Sequence, residues 1–248
     1  MTADEYVSQI LNKYAVSSQA EAYYTRLEPY LRSWAGAYLS RTFISGACAK
    51  GTAVKGSSDI DIFISLKPNY PVLNGMYENL YQFAQNQGWS PRRQNVSIGI
   101  QYGGSKIDLV PGRLQEGYQN WHSLYKSKQT TWTQTNVDLQ IKTVKDSGRT
   151  KEIRALKIWR NLHNLDFPSF YLELMVIEGL KYRPTNTLAE NVLVALRYLA
   201  DNIRTKSIVD PGNTANIISK DLSDVEKIVI SVAASKSANE KYWERTIW

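Results

Sequence analysis

The sequence is poor in the residues that most often carry metal and redox chemistry. Among its 248 residues there is one cysteine, Cys48, and there are two histidines, His122 and His163. A single thiol excludes an intramolecular disulfide and any zinc cluster built from the cysteines of one chain. Neither histidine belongs to a paired ligand motif such as H-E-x-x-H. Enzymatic chemistry in this chain therefore has to rest on carboxylates, lysines and hydroxyls. No run approaches the ~18 uninterrupted apolar residues of a membrane span, so no membrane partner is expected. The opening "MTADEYVSQILNKY" carries acids and no apolar block before a small-residue cleavage site, so the expected location is cytoplasmic. There is no internal repeat and no low-complexity tract.

What is present reads as globular: 43% hydrophobic and 21% charged residues, with length enough for one large domain or two ordinary ones. The formal charge of +7 implies attraction to phosphates, on nucleotides or on nucleic acid. Basic residues concentrate at Lys142, Lys145, Arg149, Lys151, Arg154, Lys157 and Arg160, against only Asp146 and Glu152. Such a run is either a solvated helix face or a stripe over 142–160 that binds RNA or DNA as acceptor or activator.

Periodicity divides the chain. Leu27, Leu31, Trp34 and Tyr38 share a helical face, with Pro29 inside the pattern. Segments 41–47, 59–66, 93–102 and 105–111 are short, β-branched and alternating, which predicts strands, and 71–88 between them predicts a helix. Beyond Pro111 the patterns are helical, at about 136–146, 149–164, 168–183, 187–204 and 221–238. The stretch 113–135 is polar, aromatic and weakly periodic, and reads as a crossing between lobes; 207–219 reads as irregular. The expected fold class is α+β: a lobe with a small mixed sheet and N-terminal helices (1–112), the crossing segment (113–135) and a helical nucleotide-binding lobe (136–248). A ligand cleft is expected where the lobes meet.

The chemistry is concentrated in "GACAKGTAVKGSSDIDIFISL". On a strand, Asp59 and Asp61 point to one face while Ile60 and Ile62 point to the other. Two like charges on one face call for a cation between them. Asp108, in "SKIDLVPG", offers a third carboxylate from an apolar strand that Pro111 and Gly112 are expected to end. Three such acids can hold two metals, one activating an attacking hydroxyl and one stabilising a leaving pyrophosphate. All-oxygen ligands favour two Mg2+, or Mn2+, over zinc. Gly46, Gly51 and Gly56 let backbone amides approach an anion, Thr52 adds a hydroxyl, and Lys50 and Lys55 add charge, although the loop is not a G-x-x-x-x-G-K-[ST] motif. D-x-D on a strand and glycines before a strand also occur as ordinary structure, so spacing alone leaves both readings open.

These residues resemble the signature of the DNA polymerase β-like nucleotidyltransferase superfamily, in the branch of oligoadenylate synthetases, archaeal-type CCA-adding enzymes and bacterial cyclic-oligonucleotide synthases. "IDLVPG" is similar to the third-carboxylate strand, "RALKIWR" to the helix whose lysine, here Lys157, touches the triphosphate, and "DPGNTANI" to the D-P-x-x-x-x-N segment. "FPSFYLELMVIEGL" is similar to the helix that sets a ring against the base, which puts Phe170 there with Ser169 and Tyr171 beside it. The likeness runs in order over roughly residues 40–220. It implies catalytic and metal-ligating roles for Asp59, Asp61 and Asp108, and nucleotide binding by Gly46, Ala47, Lys50, Gly51, Thr52, Lys157, Ser169, Phe170 and Tyr171.

Ala47 departs from the family, where serine usually gives a hydroxyl and an amide to the triphosphate. The amide survives, the lost neutral contact is worth about 1 kcal/mol, and Ser45 and Cys48 are neighbours able to compensate. The implied activity is transfer of a nucleoside monophosphate from a triphosphate to a hydroxyl, an EC 2.7.7-type reaction. The product expected first is a cyclic or linear oligonucleotide messenger of antiviral defence. Template-free RNA 3′-end addition, modification of a small molecule or protein, and a catalytically dead nucleotide- or RNA-binding module stay open. The stop at Trp248, short of archaeal CCA-adding enzymes, is expected to favour the messenger.

Overall fold

Local chemistry sets where the elements begin. In the computed structural model, which describes residues 1–17 and 19–248, Thr2 and Glu5 form a reciprocal capping box that opens α1 (Ala3–Lys13). There follow α2 (Gln19–Ala35), β1 (Leu39–Ile44), the short α3 (Gly46–Lys50), β2 (Ile60–Leu66), α4 (Leu73–Asn86), β3 (Arg92–Arg93), β4 (Ile98–Tyr102) and β5 (Ser105–Leu114). Next come β6 (His122–Lys126), β7 (Thr131–Thr135), α5 (Val137–Asp146), α6 (Thr150–Leu162), α7 (Ser169–Gly179), α8 (Leu188–Asn202), β8 (Val209–Asp210), β9 (Asn213–Ile217) and α9 (Asp224–Ala238). Among the described residues no helix is long and apolar enough to cross a membrane.

The chain divides into two compact units, one of Ser17–Lys50 with Ser58–Ile141 and one of Met1–Val16 with Gly51–Ser57 and Lys142–Trp248. The first holds a mixed sheet in the order β1-β2-β5-β4-β3, with β6 paired to β5 and β7 to β6. β2 and β5 run parallel, and β1, β4 and β6 are antiparallel to their neighbours. β2 alternates as its sequence demands. Ile62, Ile64 and Leu66 enter a core with Leu27, Leu31 and Leu80 from α2 and α4, while Phe63 packs on the other face with Leu124 and Val137.

The second unit packs α6 to α9 around a large apolar core. α1 belongs to this core through Val7, Ile10 and Leu11 rather than to the sheet, where it was expected. Polar ties fix it there: Tyr6 Oη donates to Ile247 O at 2.9 Å, and Asp4 Oδ1 accepts from Ala189 N at 2.7 Å.

Two weakly patterned stretches prove to be sheet. The expected crossing segment 113–135 contains the end of β5 and the β6–β7 hairpin, held by five register pairs. Its strands, "HSLYK" and "TWTQT", are mostly polar and hide the apolar alternation. Pro111 does not end β5. It falls between the β4 pairing, which stops at Leu109, and the β6 pairing, which starts at Arg113, where one edge of the strand has no partner. The irregular 207–219 holds the β8–β9 hairpin, and Asp210 Oδ1 accepts from Gly212 N at 2.7 Å across its turn.

Candidate active site

The carboxylates are placed by the pairing of β2 with β5. Asp61 and Asp108 are register neighbours in parallel strands, with Ile60 opposite Ile107 and Ile62 opposite Leu109 on either side. Asp59 lies one residue before β2 begins. Its charge nevertheless reaches Asp108, whose pKa is raised first by burial and then by Asp59, with Arg92 and Gln94 opposing. A carboxylate held up by a like charge gains most from an added cation.

Gly46 makes room for the second acid. Ser45 N donates to Asp61 O at 2.8 Å, which ties the end of β1 to β2. Gly46 then takes φ +57, and a Cβ there would fall 1.8 Å from Asp61 Oδ2. Only glycine accepts both the backbone angle and the carboxylate against it. The stretch read as a phosphate loop is thus a glycine elbow followed by α3.

Four residues that sequence reasoning missed surround Asp108. Gln94 Nε2 donates to Asp108 Oδ1 at 2.9 Å, and Ser97 Oγ donates to Gln94 Oε1 at 2.9 Å, so the amide is oriented with its nitrogen toward the acid. Gly99 faces Asp108 in β4, and a Cβ on it would lie 2.7 Å from Gln94 Nε2 and 2.8 Å from Arg92 Nε. A glycine in mid-strand is the signal that could have found this cluster.

Among the described residues no three His, Cys, Asp or Glu side chains already converge as a ready metal site. The donor chemistry still fits divalent ions. Two adjacent carboxylates, a third whose charge is felt by one of them, and no nitrogen or sulfur donor form a set suited to Mg2+ or Mn2+.

Apart from Gly46, Ala47 and Lys50, the expected nucleotide ligands belong to the helical unit, and three of them are turned inward. Thr52, Lys157 and Glu173 form a closed polar cluster. Lys157 Nζ lies 2.5 Å from Glu173 Oε1 and 3.0 Å from Thr52 Oγ1, and Thr52 Oγ1 donates to Glu173 Oε1 at 2.8 Å. Lys157 is 2% exposed and Thr52 0%, so neither presents itself to a triphosphate as expected. Glu173, one helix over, is the partner that the reading missed. Tyr171 is fully buried in the core, where burial and then Tyr198 push its pKa up to about 12, and it cannot stack on a base there. α7 is apolar on nearly every side, which leaves no wet face at Tyr171. Phe170 is half-buried against the same core, and Ser169 Oγ accepts from Arg160 Nη1 at 3.0 Å. Lys50 is buried at 8%, Gly51 is exposed, and Ala47 is half-buried.

The basic stripe is not a surface. Arg149 donates to the carbonyls of Leu180, Arg183 and Pro184 and pairs with Glu152; Arg154 donates to Leu11 O; Arg160 donates to Phe167 O. With Lys157 these cations serve the interior, and burial lowers the pKa of Arg154 and Arg160. Only Lys142, Lys145 and Lys151 of the run are exposed, and Lys142 is paired with Asp146. The helices need inward donors to satisfy loop carbonyls, and a sequence does not tell which face an arginine takes.

No profile of a known protein family matches the chain. It is 25% identical, over 92% of its length and 88% of the relative's, to a cyclic AMP-AMP-AMP synthase of Escherichia coli strain MS 115-1. Among solved structures it is similar to CdnG, a CD-NTase of Bradyrhizobium diazoefficiens in complex with GTP (TM-score 0.85, 14% identity, 100% of this chain and 93% of that one). It is also similar to CdnC of E. coli MS115-1 with ATP (TM-score 0.76, 19% identity, 95% and 90%). The chain thus shares the α+β fold of these bacterial proteins.

Proposed function

We propose that this chain is a metal-dependent nucleotidyltransferase that joins nucleoside triphosphates into a cyclic oligonucleotide messenger with release of pyrophosphate. The observation that carries the reading is the register of Asp61 with Asp108, with the charge of Asp59 bearing on the second acid. Likeness to a cyclic AMP-AMP-AMP synthase over nearly the whole chain supports it and makes ATP the first substrate to try.

Asp59 and Asp61 would hold the ion on the triphosphate, and Asp108 would share the ion at the attacking hydroxyl. Two bound Mg2+ or Mn2+ ions supply charge for the triphosphate and the leaving pyrophosphate, and lower the pKa of the attacking hydroxyl. The chain's own part is to keep the acids ionised and aimed. Gln94 fixes Asp108 by a hydrogen bond, and Gly46 lets the Asp61 carboxylate lie against the backbone. Lys157 acts by holding the Gly51–Ser57 segment through Thr52 rather than as an open phosphate contact.

The test is incubation with Mg2+ or Mn2+ and each α-labelled nucleoside triphosphate, with and without RNA, beside Asp61→Asn and Asp108→Asn. Phosphatase-resistant products of defined short length without RNA, absent from both variants, are expected. Label carried only by added RNA would instead make the chain a 3′-end transferase, and equal silence of wild type and variants would overturn the enzyme reading.

A further inference from the structure

The last helix is apolar on the side that faces away from the core. α9 buries Ile230, Ala234 and Ala238, yet Val225, Ile228, Val229 and Val232 are 70%, 44%, 52% and 63% exposed. Their spacing of three, one and three residues sets them in one stripe along a helix about 22 Å long. Isolated exposed aliphatics need no explanation, but four in one row do.

Charge selects the occupant. The first turn of α9 carries Asp224 and Glu226, its last turn carries Lys236, and all three are exposed. Lys236 lies four residues beyond Val232, on the same side of the helix as the stripe. If two copies of α9 meet antiparallel about a two-fold axis near Ile228 and Val229, Val225 of each lies over Val232 of the other. Lys236 of each then lies ~4.5 Å along the axis beyond Asp224 of the other, and the two side chains lean toward each other because helical side chains tilt toward their own N-terminus. The stripe is therefore complementary to itself, the requirement of an isologous interface. Parallel pairing would instead set acid on acid and lysine on lysine.

We infer that the exposed face of α9 docks against α9 of a second copy of this chain, giving an antiparallel two-fold dimer. One helix pair is small beside the ~1,200–2,000 Å² of stable interfaces, so the dimer is weak, with a dissociation constant between about 1 and 100 µM.

Sedimentation velocity of the full chain across that concentration range tests this. Wild type should pass from monomer to dimer, and Val229→Asp should raise the dissociation constant at least ~10-fold. Lys236→Glu alone and Asp224→Lys alone should each weaken self-association, and an equimolar mixture of the two should restore it as a heterodimer. Circular dichroism of each variant checks that α9 is retained. A wild type that stays monomeric across that range overturns the proposal, as does indifference to Val229→Asp. Failure of the mixture to regain association overturns the antiparallel arrangement.

Discussion

Lys157 Nζ and Glu173 Oε1 lie 2.5 Å apart with side chains 2% and 0% exposed, so an ion pair is sealed inside the helical unit. Removing one member strands the other charge in the core, at a cost of about 3–5 kcal/mol. Glu173→Leu and Lys157→Met are each expected to lower unfolding stability by that order in urea titrations. The double variant should cost less than either single change, because it removes both charges together. Costs that simply add would mean that the two groups are not coupled.

Gly46→Ala tests the elbow. The new methyl would meet the Asp61 carboxylate at a backbone angle of φ +57 that alanine disfavours. Displacing a metal-binding carboxylate by about 1 Å is expected to cost on the order of 100-fold in turnover. Gly56→Ala is the control for backbone strain, since its φ is +83 and nothing lies within 4 Å of the added carbon. If both variants lose activity equally, the carboxylate is not what Gly46 protects.

Gln94 bears on the ionisation of Asp108. Burial and Asp59 raise that pKa, and the Gln94 hydrogen bond lowers it. Gln94→Leu removes a lowering contribution, so the Asp108 pKa should climb further and its carboxylate should form only at higher pH. Carboxyl-carbon NMR titration of the metal-free chain reads this directly. An unchanged or lowered Asp108 pKa would mean that the amide does not stabilise the anion.

The strand placement of Asp61 was legible in the sequence because Ile60 and Ile62 alternate with it at a strand's two-residue period. The helices were legible for the same reason at their own period. What surrounds the acids was not. Gln94, Arg92 and Ser97 are ordinary polar residues that gain meaning only when β3 folds beside β4. The inward turn of Lys157, Arg149 and Arg160 depends on partners distant in the chain, such as Thr52, Glu173 and the carbonyls of Leu180 and Pro184. The β6–β7 hairpin escaped notice because its outer strand, "TWTQT", is polar at alternate positions without an apolar face. Resemblance to known enzymes put Phe170 against a base and counted Tyr171 beside it as nucleotide-binding, whereas the packing of α7 gives Tyr171 to the core.

His122 sets a pH limit on the sheet unit. Its ring is fully buried; Nδ1 lies 3.0 Å from Asn120 O and Nε2 lies 2.8 Å from Ser65 Oγ. A carbonyl can only accept, so Nδ1 carries the proton and Nε2 accepts from the serine, which fixes a neutral tautomer. Burial lowers the pKa from 6.5 to about 4. Between those values the unfolded chain binds more protons than the folded one, so stability falls as pH falls. It is intact above about 6.5 and reduced by about 3 kcal/mol once pH drops to the folded value. Urea unfolding at pH 7.5 and at pH 4.5 should show that loss in wild type and much less of it in His122→Gln, which keeps an acceptor for Ser65 without a titrating ring. Equal losses in the two proteins would move the acid sensitivity to other groups.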